Sequence, residues 1–267
     1  MTEYDNTAAG AFPAQKKDGT SYYRSSFTYK NKHISLGSFK TREEAHGAYL
    51  EAHQLISDTA IQLMDYSRKQ YLSFEKWVIL CNFRDNNLYF STPIYVRKHY
   101  FSYYLDEHTE LKFSIDDLFY YASHKIMQRG GHYFVADYGM QVNILSRYGI
   151  KNYGVRGVDY NLINNDPYDF RYENAEILNS YHGVRLTTYH GKEKYQARIH
   201  VRGYYIIGYY DTSIHAAIAY NKAIDTLQAK GCPKQFRPNY IEGLSPSVYA
   251  QIYRTITMPD KIMQYTK

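Results

Sequence analysis

Ile207-Gly208-Tyr209-Tyr210-Asp211-Thr212 is followed by Ala216, Ala219, Tyr220 and Ala223. The same run stands 171 positions earlier as Leu36-Gly37-Ser38-Phe39-Lys40-Thr41, followed by Ala45, Ala48, Tyr49 and Ala52. An aliphatic-Gly-x-aromatic-x-Thr turn leading into small residues spaced three and four apart predicts a strand that passes into a helix. Small residues at that spacing let the helix lie close on what it covers. Thr41 with Glu44 three residues later forms a capping box, whereas the second copy carries His215 in place of the Glu. Upstream, Tyr195, Ala197, Ile199 and Val201 alternate with Gln196, Arg198, His200 and Arg202. Tyr23, Ser25, Phe27 and Tyr29 alternate likewise with Arg24, Ser26, Thr28 and Lys30. Arg202-Gly203 turns the second strand back and Lys30-Asn31-Lys32 the first. The strands align at an offset of 172 and the helices at 171, so the second hairpin is one residue shorter. Each copy reads as a small antiparallel sheet with a helix on one face, and a repeated unit implies one task carried out twice.

The 267 residues carry a formal net charge of +6, unevenly placed. Residues 16–56 hold seven Lys and Arg against four acids, residues 183–230 hold seven against three, and residues 57–182 hold thirteen against fifteen. Positive charge on the repeats favours a polyanionic partner. Cys81 and Cys232 stand alone with no CxxC, which argues against a disulfide framework or a zinc site. The polar opening Met1-Thr2-Glu3-Tyr4-Asp5-Asn6 does not read as a signal peptide, and the longest apolar run, Trp77 to Cys81, is too short for a bilayer. A soluble, cytoplasmic protein without membrane contact is the expectation. The 33 tyrosines suit base stacking, and equally suit small, wet cores.

A bare sheet face of Arg, Lys, His and hydroxyls fits a DNA major groove. Gly183-Val184-Arg185, Tyr195-x-Ala197-x-Ile199, the Gly203 hairpin and the quoted strand-to-helix run resemble the APETALA-two, or ethylene-response-factor-type, DNA-binding domain, in its bacterial and phage form. The likeness covers residues 180–228, and 16–58 more loosely. It implies that the sheet enters the major groove of double-stranded DNA and that Arg185, Arg198 and Arg202, with His200, make the contacts. In the first copy it points to Arg24, Lys30 and Lys32, with Ser26 and Thr28 beside them. The Gly-Val-Arg strand has no clear counterpart there.

Between the copies, residues 66–130 carry no recognisable motif. Tyr133 to Asp137 reads as a strand and Val142 to Tyr148 as a short helix. Residues 158–174, from Val158-Asp159-Tyr160 through Asn164-Asn165-Asp166 to Asp169-Phe170-Arg171-Tyr172-Glu173-Asn174, resemble the HNH endonuclease motif, whose nucleases often carry an ethylene-response-factor-type domain downstream. The resemblance implies that Asp159 would bind a divalent metal and the next residue would act as general base. That residue is Tyr160, which titrates near 10 and is a poor base at neutral pH. Two extra residues stretch the register, and the metal-completing Asn falls at Gly183, with Asn179 and His182 out of register. His124, His132 or His182 could substitute as base. The reading is a nuclease scaffold without catalytic or metal-binding residues and with no cofactor, magnesium being implied only if the unit is active.

The fold expectation is α+β: two three-stranded-sheet-plus-helix units flanking a degenerate ββα region. The domains fall at 1–65, 66–130, 131–179, 180–230, and 231–267 as linker and short helix. The leading function is a site-selective, non-catalytic DNA-binding protein, a regulator associated with a mobile element. The rivals are an active metal-dependent HNH homing endonuclease or nickase, and a protein-interaction module. Oligomeric state stays open.

Overall fold

The computed structural model describes residues 8–68, 70–150 and 154–266. In chain order the elements are β1 Ala11–Gln15, β2 Ser21–Tyr29, β3 Lys32–Phe39, α1 Arg42–Ser57, α2 Phe74–Asn86, β4 Ile94–Val96, β5 Tyr100–Tyr104, β6 Glu110–Ser114, α3 Leu118–Ser123, β7 Ile126–Arg129, β8 His132–Asp137 and β9 Met140–Asn143. They continue with β10 Tyr160–Leu162, β11 Asp169–Phe170, β12 Ala175–Ile177, β13 Val184–Tyr189, β14 Lys192–His200, β15 Tyr204–Tyr210, α4 Ser213–Ala229, α5 Pro246–Thr255 and α6 Asp260–Met263. The fold is α+β. Its sheets are β1-β2-β3, β13-β14-β15, β7-β8-β9, a four-stranded β11-β6-β5-β4 and a β10-β12 pair.

Both repeats form the expected sheet and helix, and their registers coincide to the residue. Ser25 pairs with Gly37 and Ser26 with Ser35, leaving Leu36 as a bulge. Ala197 pairs with Gly208 and Arg198 with Ile206, leaving Ile207 in the same place. The extra residue re-aims the strand, and both Leu36 and Ile207 go into the core. The glycine of the motif makes room for the aromatic two residues on: a Cβ on Gly208 would lie 2.8 Å from the Tyr210 hydroxyl, and one on Gly37 3.3 Å from the Phe39 ring. Ala45, Ala48 and Ala52, like Ala216, Ala219 and Ala223, are fully buried against the sheets. Thr41 and Glu44 form the capping box. Thr212 caps α4 through the His215 amide, and its hydroxyl also meets the His215 ring at 2.6 Å. Lys30 and Asn31, both at positive φ, make the first hairpin's two-residue turn. Lys32 already belongs to β3. In the second hairpin Val201 closes on Gly203 around Arg202.

The first repeat has the third strand that its sequence does not announce. Ala11 of β1 pairs with Ser25 as Val184 of β13 pairs with Ala197. Gly10 and Gly183 precede these strands at φ +76 and +71. Their carbonyls accept the Ser26 and Arg198 amides, and their faces lie under the repeat tyrosines Tyr49 and Tyr220. Gly10-Ala11-Phe12 is therefore the counterpart of Gly183-Val184-Arg185.

The chain gathers into two compact units, residues 1–142 with 167–172, and residues 143–166 with 173–267, in place of five segments. In the first unit the middle of α2 is buried on every side, with Trp77, Val78, Ile79, Leu80 and Cys81 all buried in succession. Apolar residues in unbroken succession bury every side of a helix in a core, and this segment packs with the first repeat, sharing one cluster with Phe27, Ile34, Leu36, Ala48 and Leu55. Buried Arg84 donates to the Leu55 and Asp58 carbonyls at 2.8 and 3.0 Å, capping the end of α1. Residues 66–130 thus complete the first repeat's core.

In the second unit the presumed linker is structural. Cys232, Ile241, Ile256 and Ile262 are buried in the core of the second repeat. Asn221 and Asn239 clasp each other through side chain and backbone, at 2.9 and 2.7 Å, and Asn239 also holds both backbone groups of His182.

Candidate nucleic-acid interface

Register fixes which side chains share the outer face of β13-β14-β15. Val184, Ala197 and Ile207 turn inward. The opposite face carries Gln196 paired with Arg185 on one side and Tyr209 on the other, Arg198 paired with Ile206, and His200 paired with Tyr204. Arg185 is partly exposed, while its Nε is buried without a hydrogen-bond partner. The Arg198 guanidinium lies 4.3 Å from the Tyr204 ring centroid. Lys234 donates to the His200 carbonyl at 2.8 Å and meets its ring nitrogen at 3.1 Å, adding a cation to the patch. Gln196 is buried, and its amide donates to the Tyr209 hydroxyl. Tyr209 stacks on Tyr189 with centroids 3.8 Å apart. Among the described residues an ion pair here joins Lys194 to Asp211, whose carboxyl the lysine's hydrogen bond holds below its usual range. Neither Arg185 nor Arg198 has an acidic partner among the described residues. The face is cationic and aromatic at once, chemistry suited to phosphates and base edges.

Arg185, Arg198 and His200 stand together here. Arg202 sits at the hairpin tip, its guanidinium 5.9 Å from the Tyr265 ring centroid. The motif pattern missed Lys234, which arrives 34 residues after His200. Tyr204 and Ile206 were not singled out from the sequence, although alternation in β15 is the signal that places them outward.

The first repeat differs. Its outer face carries Arg24 paired with Phe12 and Ser38, Ser26 with Ser35, and Thr28 with His33. Phe12, Ser26 and Thr28 thus occupy the places of Arg185, Arg198 and His200. Lys30 and Lys32 leave this face: Lys30 donates to the Asn87 side chain, and Lys32 lies 4.9 Å from the Tyr89 ring centroid. The expected cluster of three cations reduces to Arg24 at the rim of a shallow groove of about 420 Å³ lined by Phe12, Ser26, His33 and Ser35. Lys30→Ala and Lys32→Ala are accordingly expected to leave DNA affinity within twofold of wild type in a fluorescence titration; a tenfold loss would return these lysines to an interface.

The nuclease-like stretch is divided. Asp169 and Arg171 form a fork of two bonds at 2.8 and 2.6 Å, and β11 extends the first unit's sheet beside β6. Tyr160 to Leu162 and Ala175 to Ile177 make the hairpin β10-β12 in the second unit. Asn174 holds its loop by accepting the Asn164 amide at 2.9 Å. No helix follows β12; the chain enters β13 directly, so two strands of the expected ββα region are present without its helix. Asp159 is buried. One carboxylate oxygen accepts the Val155 amide at 2.8 Å and the other the Asn179 side chain at 3.2 Å. Burial raises the Tyr160 hydroxyl above the usual tyrosine range, with Arg156 opposing, which leaves still less tyrosinate at neutral pH to act as a base. Gly183 is closed over by Tyr220. These residues do not fit a divalent metal: the carboxylate is committed to the fold, and the completing position has no side chain. His182 is held through its backbone, and His124 binds the Tyr120 carbonyl in the first unit. Asp159→Ala is expected to destabilise the second unit by about 1–3 kcal/mol in urea melts, because the buried Asn179 side chain and the part-buried Val155 amide lose their acceptor. A fully stable variant would contradict this structural role.

No family model, curated protein or solved structure matches the chain. No described helix is long and apolar enough to cross a membrane.

Proposed function

We propose that the chain is a site-selective, non-catalytic double-stranded DNA-binding protein of ethylene-response-factor type that reads the major groove with the outer face of β13-β14-β15. The observation carrying this reading is the cluster of Arg185, Arg198 and His200 with Lys234 on one sheet face, with neither arginine paired to an acid. An exposed three-stranded ribbon of this size suits a groove about 12 Å wide. The first repeat has another task within this reading, since serine and threonine stand where the second has Arg198 and His200. The HNH-like hairpin serves as scaffold, and the protein acts in the cytoplasm as a regulator associated with a mobile element. Titration of the full chain with random duplex DNA at increasing salt tests the reading. Log affinity is expected to fall with log salt at a slope of about −0.9 for each phosphate neutralised, and a flat dependence would favour a protein-interaction module. Incubation with supercoiled plasmid in magnesium or manganese is expected to give no nicks. Nicking that purifies with the chain would overturn the non-catalytic reading.

A further inference from the structure

Arg198 is bordered by apolar surface on its own face. Its cross-strand partner is Ile206, 49% exposed, and its guanidinium lies against Tyr204, 61% exposed. Directly paired side chains on a sheet face stand about 5 Å apart, so the guanidinium fork, the isoleucine and the ring form one continuous surface. A lone exposed aliphatic residue means little. An aliphatic and an aromatic side chain flanking one unpaired arginine mark a composite site, and the corresponding positions of the first repeat, Ser35 and His33 beside Ser26, carry none of it.

An arginine presents two parallel donors that match the O6 and N7 of guanine. In the major groove the base edges are otherwise polar, the exception being the methyl on C5 of thymine or of 5-methylcytosine. The ring holds the guanidinium in place before binding, which lowers the ordering cost. We propose that Arg198, Ile206 and Tyr204 together read a C5-methylated pyrimidine adjacent to a guanine, with Arg198 on the guanine and Ile206 and Tyr204 against the methyl. This rests on the reading that the sheet face enters duplex DNA. It makes Ile206 a specificity-determining residue.

The test uses the full chain. A site is selected from a random duplex library made with thymine. It is then resynthesised with deoxyuridine at each thymine in turn, which removes only the methyl, and with 5-methylcytosine at each cytosine. The selected site is expected to contain a thymine–guanine or cytosine–guanine step. Removing the methyl there should weaken binding about fourfold, the worth of burying one methyl group, and adding one to a cytosine there should strengthen it by the same factor. The double variant Ile206→Ser/Tyr204→Ser, both positions being exposed, removes the apolar surface and should make methylated and unmethylated forms bind alike. Equal binding of both forms by wild type at each position would overturn methyl reading and leave DNA binding standing. Enrichment of no duplex at all would overturn the parent reading as well.

Discussion

Gly183→Ala is expected to destabilise the second unit by about 3 kcal/mol, measured as a shift in its urea unfolding midpoint. Two effects add. An L-residue at φ +71 is strained by about 1–2 kcal/mol. The new Cβ would also lie 2.1 Å from the Tyr220 ring and 2.6 Å from the Arg198 carbonyl oxygen, and overpacking of this kind costs about 1–3 kcal/mol. Gly191→Ala separates the two. Its φ is +72 with nothing within 4 Å, so it should show the strain alone, about 1–2 kcal/mol. Gly10→Ala should resemble Gly183→Ala in the first unit, with the Tyr49 ring 2.0 Å away. Equal losses for Gly183→Ala and Gly191→Ala would mean that the ring moves aside freely and that the glycine–tyrosine contact does not lock β13 onto α4.

The legible parts of the chain were those whose determinants are local. The Gly-x-aromatic-x-Thr run encodes bulge, turn and cap within six residues, so both repeats could be read with their one-residue difference in hairpin length. β1 was obscured by Pro13, which reads as a breaker. The proline is tolerated because β1 is an edge strand, bonded on one side only. The tail looked like a linker because its glycines and prolines are local signals, while Ile241, Ile256 and Ile262 find their partners on α4 and the sheet. Trp77 to Cys81 was too short for a membrane, and nothing nearby told that it fills the first repeat's core.

The candidate site was legible to the same degree. Strand alternation placed Arg198 and His200 outward, and the Gly-Val-Arg pattern added Arg185. Lys30 and Lys32 were misplaced because hairpin-tip residues escape the two-residue period, and the tip meets Asn87 and Tyr89. In the nuclease-like stretch the residue types survive in order, but Asp159 spends both oxygens on Val155 and Asn179. A sequence pattern cannot distinguish a ligand from a brace.

On the proposed function the outer face of β13-β14-β15 binds DNA through Arg185 and Arg198, neither of which has an acidic partner among the described residues. The most direct measurement is the affinity of the Arg185→Ala/Arg198→Ala variant for a selected duplex, beside wild type, over a range of salt concentrations. Both side chains lie on the outer face, opposite Val184 and Ala197, so circular dichroism and the urea midpoint should match wild type. Each substitution is expected to cost about 1–3 kcal/mol on the specific site, with a shallower salt dependence where a phosphate contact is lost. A folded double variant with unchanged affinity and unchanged salt slope would show that this face does not bind DNA.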